Sequence, residues 1–269
     1  MTNETETTLQ PWSAEPVSDR LGLPEGVTAA RLALGRVGAS QPTKAVLAFA
    51  LDHARARDAV HTALDFEALA DDLRALGLET IRVESAAPDR QTYLRRPDFG
   101  RKLSDASRAL LQDRQPDTAD LVIMVGDGLS STAVQQGAAP LIAGLMRQFE
   151  ADKLTVAPIV LASQARVALA DEIGEAMGAR LSLVLIGERP GLSAADSLGA
   201  YLTFAPRVGR TDAERNCVSN IRSGGLSPDA AAFKLSWLVR QASASGTSGV
   251  RLKDDSDVAA IERLAEAKP

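Results

Sequence analysis

Two loops in this sequence put reactive side chains where a sheet would end. One is Gly187-Glu188-Arg189-Pro190-Gly191, directly after the apolar run Leu181 to Ile186. The other is Gly126-Asp127-Gly128-Leu129-Ser130-Ser131, directly after Leu121 to Val125. In an open α/β sheet, ligands lie outside the carboxyl ends of the strands. A carboxylate there can move a proton or accept a hydrogen bond, and a guanidinium can hold an anion. Each loop also has a plainer reading: GERPG is a charged turn, and Ser130 or Ser131 is a helix cap. The Gly-Asp-Gly loop is neither a Walker loop nor the dinucleotide fingerprint.

The remaining candidates are fewer. Asp171 adds a third carboxylate. Cys217, the single cysteine, lies in the stretch Pro206 to Gly225, which shows almost no periodicity. It reads as a small buried hydrophobe as readily as a reactive thiol. His53 and His61, the only histidines, lie on one helix about 12 Å apart along its axis and cannot share a metal ion. With no cysteine cluster either, no protein-bound metal is expected. A Ser-His-Asp set is implausible, since both histidines precede the α/β region. The segment Thr92 to Leu103, TYLRRPDFGRKL, is dense in Arg, Pro and aromatics; it is either a surface connection or a contact for an anion or a partner.

Composition narrows the class. The chain has 269 residues, 45% of them hydrophobic, so a sizeable core is available. Its formal net charge of -5, with both signs interspersed, gives no reason to expect nucleic acid. No apolar run approaches the ~20 residues of a membrane helix. One cysteine and the absence of a signal-like N-terminus imply a cytoplasmic protein.

The elements that must position these loops follow from periodicity and caps. Residues 1–20 are too poor in apolar groups to order themselves and read as a flexible tail, with Trp12 as a partner contact. Residues 21–65 read as an all-helical N-terminal region: a short helix from Thr28 to Val37, then one from Lys44 to Leu64 with Val46, Phe49, Ala50 and His53 on one face. Asp65 caps a helix to Leu76. Strands are expected at Thr80–Ser85, Leu121–Val125, Thr155–Leu161, Leu181–Ile186 and Ala200–Phe204. Helices are expected at Asp98–Leu111 opened by Pro97, from Ser130 or Ser131 to Glu150, at Val167–Met177, and after Ser227-Pro228. Strand and helix in alternation call for a parallel sheet. The fold class is therefore α/β, a Rossmann-like parallel sheet domain over residues 66–246 with an N-terminal all-helical arm, and 247–269 form a flexible C-terminal extension with a loose helix at Asp257–Ala267.

Five blocks together resemble the small subunit of ethanolamine ammonia-lyase: VGDGLS at 125–130, RVALADEIGE at 166–175, GERPGL at 187–192, TYLRRPDFGR from Thr92, and CVSNI at 217–221. The resemblance covers roughly Arg31 to Gly246. It implies a subunit of an adenosylcobalamin-dependent lyase that converts ethanolamine to acetaldehyde and ammonia. In that family a large subunit holds the substrate, and the small one clamps the corrinoid at the interface of a heteromultimer. By the same resemblance, Val167, Glu188 and Cys217 are the cofactor-binding residues, this chain supplies no catalytic residue, and residues 1–20 are the candidate for delivery to a protein-shelled microcompartment. Loop 127–130 and Arg189 are further candidates from the sheet-edge argument. The chain has no Asp-x-His-x-x-Gly motif, so cobalt is expected to keep the cofactor's own base. The alternative is a stand-alone α/β module binding a nucleotide or other small anion through Gly126 to Ser131.

Overall fold

The two most apolar runs pair with each other at the centre of the sheet. β2 (Leu121–Gly126) and β4 (Leu181–Gly187) are parallel neighbours with every residue buried. The structure is a computed structural model that describes residues 30–32, 34–114 and 119–258. With β1 (Thr80–Glu84), β3 (Ile159–Ser163), β5 (Leu198–Phe204) and β6 (Arg215–Ile221), these strands form one six-stranded sheet in the order β1-β3-β2-β4-β5-β6. The first four in that order are parallel, whereas β5 runs antiparallel to both its neighbours, β4 and β6. The sheet is mixed, which corrects the parallel, Rossmann-like expectation. The cause is the link 188–197, shorter than the dozen or more residues of a helical crossover.

Alternate side chains of the strands feed two cores. Leu121, Ile123, Val125, Leu181, Leu183 and Leu185 pack on one face. There they meet α2 (Phe66–Ala75), α5 (Ser131–Asp152) and α7 (Pro228–Ser245). Val122, Met124, Val184 and Ile186 pack on the other face, against α4 (Asp105–Gln112) and α6 (Leu169–Ala176). Each such side chain contributes about 1.5–3 kcal/mol on removal from water. The helices start where the caps say: Asp65, Ser104, Ser130 and Ser227 each accept a backbone N–H from the first turn.

The N-terminal region is not all-helical among the described residues. Its helix is α1 (Thr43–His61). Ahead of it the described residues of 28–37, where the sequence pointed to a helix ended by Gly38, are not helical; Val37 pairs with Ser40 across a turn containing Gly38 at φ 62°. Val46 and Phe49 of the expected apolar face are exposed, and the Phe49 and His53 rings stack with centroids 6.4 Å apart. The chain falls into two compact units, Met1–Arg55 and Ala56–Pro269. The tail with Trp12 lies outside the described residues, as does nearly all of the loose helix expected at Asp257–Ala267.

Three further expectations are corrected inside the larger unit. The helix placed at Asp98–Leu111 is split: α3 (Arg90–Arg95) precedes it, a single 3-10 turn covers Phe99–Arg101, and Ser104 starts α4 afresh. β3 begins at Ile159, because Thr155 and its neighbours bond to Asp120 and Leu121 before the strand. The aperiodic stretch Pro206 to Gly225 contains β6, whose alternation is broken by a bulge. Residues 247–258, the described part of the C-terminal extension, are tied down. Ser248 donates to the Glu214 carbonyl, and Lys234 reaches Asp254 at 2.9 Å and Asp257 at 3.1 Å.

The loops after β2 and β4 touch backbone to backbone. A Cβ on Gly187 would lie 1.9 Å from the Ser130 carbonyl oxygen, and one on Gly128 2.3 Å from the Gly187 oxygen. Gly137 of α5 is different: its nearest neighbour would be 3.5 Å away. Gly187→Ala is therefore expected to lose about 1–3 kcal/mol or more, and Gly137→Ala to gain about 0.5–1 kcal/mol. Urea midpoints at unchanged slope measure both; a neutral Gly187→Ala would refute the close packing of the two loops.

Candidate functional site

The carboxyl edge of the sheet is assembled by one arginine that the sequence did not single out. Arg90 Nε donates to the Val60 carbonyl at 2.8 Å, and Nη1 donates to the Gly128 carbonyl at 2.8 Å. Nη1 also reaches Gln164 Oε1 at 3.4 Å and stands 3.7 Å from Asp127 Oδ2. Arg90 thus joins the end of α1, the loop after β2 and the loop after β3. Its signal is faint: an Asp-Arg pair opening a short helix, with Asp89 as the cap.

Asp127 faces inward. Its Oδ2 and Oδ1 accept the N–H groups of Gln164 and Ala165, each at 3.0 Å. Burial pushes its carboxyl pKa up, against these two bonds and the charge of Arg90. The carboxylate shapes the loop that presents Val167 instead of facing a ligand beside Glu188. Ser130 is likewise spent, capping α5 and donating to the Ala195 carbonyl at 2.6 Å. The N–H of Leu129 donates to Gly187. Little of loop 126–131 is left for a nucleotide or small anion.

The TYLRRPDFGR segment packs onto the same loop. Tyr93 is buried and donates its hydroxyl to the Ala165 carbonyl at 3.0 Å, and the Arg166 guanidinium lies over its ring at 4.2 Å. Gly100 lets the backbone approach closely enough for Arg166 N–H to donate to its carbonyl at 2.8 Å. Arg95 and Arg96 are exposed, as expected of a surface connection.

Between the ends of β2 and β4 opens a cavity of about 240 Å³. Val167, Glu188, Arg189, Arg166, Tyr93 and Tyr201 line it, over the backbone of Gly128, Leu129 and Gly187. Two of the three proposed cofactor residues therefore share one wall. Cys217 is not in that wall, but it sits directly opposite Tyr201 in the β5–β6 ladder and is exposed at the surface. That corrects the reading of Cys217 as a buried hydrophobe. Partial desolvation pushes the thiol pKa up, and the charge of Glu188 adds to this. Tyr201 is raised as well, by burial first and then by Cys217. Both groups are neutral at ordinary pH.

Glu188 is held from behind. Ser197 donates its hydroxyl to Oε2, and the Asn220 N–H donates to the same oxygen at 3.2 Å. Among the described residues Oε1 receives no hydrogen bond. A second cavity, about 600 Å³, lies at the ends of β1 and β3 and is lined by Asp127, Arg82, Glu84 and His61. It contains none of the three candidates.

The family model described as ethanolamine ammonia-lyase light chain matches residues 21–253. The chain belongs to this family. Similar relatives are the ethanolamine ammonia-lyase small subunits of Rhodopseudomonas palustris and Bradyrhizobium diazoefficiens. The first is 56% identical over 89% of this chain and 92% of its own. The second is 54% identical over 90% of this chain and 93% of its own. The match to the light-chain family runs past Gly246, where the resemblance read from motifs stopped, and takes in the segment tied down by Asn216 and Ser248. No described helix is long and apolar enough to cross a membrane.

Arg90→Lys keeps the charge at this edge of the sheet but loses the planar fork that serves several acceptors. It is expected to cost about 1–3 kcal/mol and to speed hydrogen exchange at the amides of Leu129 and Gln164. Unchanged exchange at both would show that Arg90 does not organise the edge.

Proposed function

We propose that this chain is the small subunit of an adenosylcobalamin-dependent ethanolamine ammonia-lyase, forming one wall of a corrinoid site that a large subunit completes. The observation that carries the reading is the convergence of Val167 and Glu188 on one cavity, with Cys217 on the adjoining ladder position. A corrinoid is far larger than this cavity, so only an edge of it fits here and the rest must lie against another surface.

The donor set suits such an edge. Val167 is half-buried and offers apolar surface to the ring. Glu188 Oε1 accepts hydrogen bonds from peripheral carboxamides, and Arg166 and Arg189 add positive charge beside carbonyl oxygens. The neutral Cys217 thiol packs as a soft rim. When bound, adenosylcobalamin supplies the radical that starts conversion of ethanolamine to acetaldehyde and ammonia. This chain's residues bind and orient the cofactor, and the substrate site belongs to the large subunit.

The stand-alone anion-binding module is the weaker reading, because Asp127, Ser130 and the Leu129 N–H are already engaged within the fold.

Co-expression with the large subunit is expected to give a red heteromer active with adenosylcobalamin, while the isolated chain is inactive. Within that heteromer, Glu188→Ala should raise the cofactor concentration for half-maximal rate about tenfold, a loss of one charge-assisted bond, with KM for ethanolamine little changed. A colourless monomer that binds nucleotide tightly would overturn the proposal.

A further inference from the structure

Glu188 reaches the cavity from a loop, and a loop carboxylate left to itself samples many rotamers. This one is confined on three sides. Ser197 donates its hydroxyl to Oε2, and the backbone N–H of Glu188 donates in turn to the Ser197 carbonyl at 2.9 Å. The Asn220 N–H reaches the same oxygen from β6. That N–H is turned toward Glu188 at the bulge, where Asn220 takes φ 57° and its carbonyl accepts from Leu226 at 2.9 Å. Below, the carboxylate lies on Gly199: a Cβ there would stand 3.0 Å from both Cγ and Oε1 of Glu188.

These contacts are asymmetric. Two donors fix Oε2 and a side-chain-free strand position supports Cγ and Oε1, so in a side chain that lines the cavity Oε1 is the oxygen that receives no hydrogen bond among the described residues. A carboxylate only accepts hydrogen bonds. Fixed in place, it favours a group that donates and opposes another carboxylate, since the site cannot turn away from a like charge.

Resting on the reading of Glu188 as a corrinoid contact, we propose that Ser197, Gly199 and the Asn220 N–H are positioning residues. They make Glu188 a fixed reader of a neutral peripheral carboxamide and set the site against corrinoids that carry a carboxylate at that position. No covalent step is involved.

The test is equilibrium binding to the heteromer, followed by corrinoid absorbance. The probes are hydroxocobalamin and its separated monocarboxylate derivatives, which differ by hydrolysis of a single peripheral amide. The wild-type complex is expected to bind the amide form about tenfold or more tightly than at least one monocarboxylate. Ser197→Ala removes a donor, and Gly199→Ala displaces the carboxylate from a strand position that tolerates alanine. Each should weaken hydroxocobalamin several-fold, bring the ratio toward one, and leave KM for ethanolamine unchanged. If Glu188→Ala weakens binding while Ser197→Ala and Gly199→Ala keep wild-type affinity and ratio, the positioning role is wrong and the proposed function stands. If Glu188→Ala itself changes nothing, the reading of the site fails first. Equal binding of every monocarboxylate by the wild type would remove the selectivity.

Discussion

The structure depends on a contact without side chains. At the carboxyl edge the loops following β2 and β4 approach so closely that Gly128 and Gly187 leave no room for a Cβ, and Leu129 N–H closes the contact onto the Gly187 carbonyl. Strand pairing brings Gly126 opposite Ile186 and so delivers the two loops to the same place. Once the backbones touch, the position of Glu188, the next residue, is set by the central sheet rather than by the flexibility of its loop. A site on such a base is preorganised by the pairing that also makes the core.

Charge does the second part of the work, largely turned inward. Arg90 and Asp127 look like ligand-edge residues by location, yet their bonds go to neighbouring segments of the fold, chiefly to backbone groups. Further down the sheet Asp171 and Arg215 form a buried bidentate pair at 2.6–2.7 Å, with Thr203 bonded to the same guanidinium. Buried pairs of this kind contribute little net stability but are costly to break. Here the pair ties α6 to β6, an edge strand that no strand flanks on its outer side in the described sheet. The polar groups at the carboxyl edge thus fall into two sets: those consumed in holding loops, and the smaller set of Glu188 Oε1, without a hydrogen bond among the described residues, and the exposed Arg189 and Cys217.

The sequence made the central strands legible because burial on both faces leaves an uninterrupted apolar run, as in Leu121 to Val125 and Leu181 to Ile186. Caps were legible for an equally local reason: Asp65, Ser130 and Ser227 accept N–H groups within their own first turn. Strand direction was not legible from the apolar runs, since parallel and antiparallel strands can share the same composition. The short link 188–197 carried that information. β6 was hidden by its bulge, which shifts Val218 and Ile221 out of strict alternation. Arg90 was hidden because an arginine that serves carbonyls from three distant segments leaves no spacing pattern. Glu188 was marked already by its place after a buried strand, whereas Val167 and Cys217 came from resemblance, and periodicity alone would have left Cys217 in an aperiodic loop.

The antiparallel end of the sheet also bears on why the proposed site is half a site. Had β4 been followed by another helical crossover, a helix would cover the face of β5 and β6 that carries Tyr201, Thr203, Cys217 and Arg215. The direct return through residues 188–197 places α7 and α5 on the opposite face, against Leu198, Ala200, Leu202 and Val218. α6 reaches the near face through Asp171, low on the strands, and the Tyr201–Cys217 row above it keeps an exposed thiol. On the proposed function, a cavity bounded by one such sheet edge would hold the margin of a large planar ligand and leave its body uncovered. The strand reversal that departs from a fully parallel sheet is therefore what leaves this face uncovered, and the proposed function requires such a wall, since a large cofactor held between two polypeptides needs one from each.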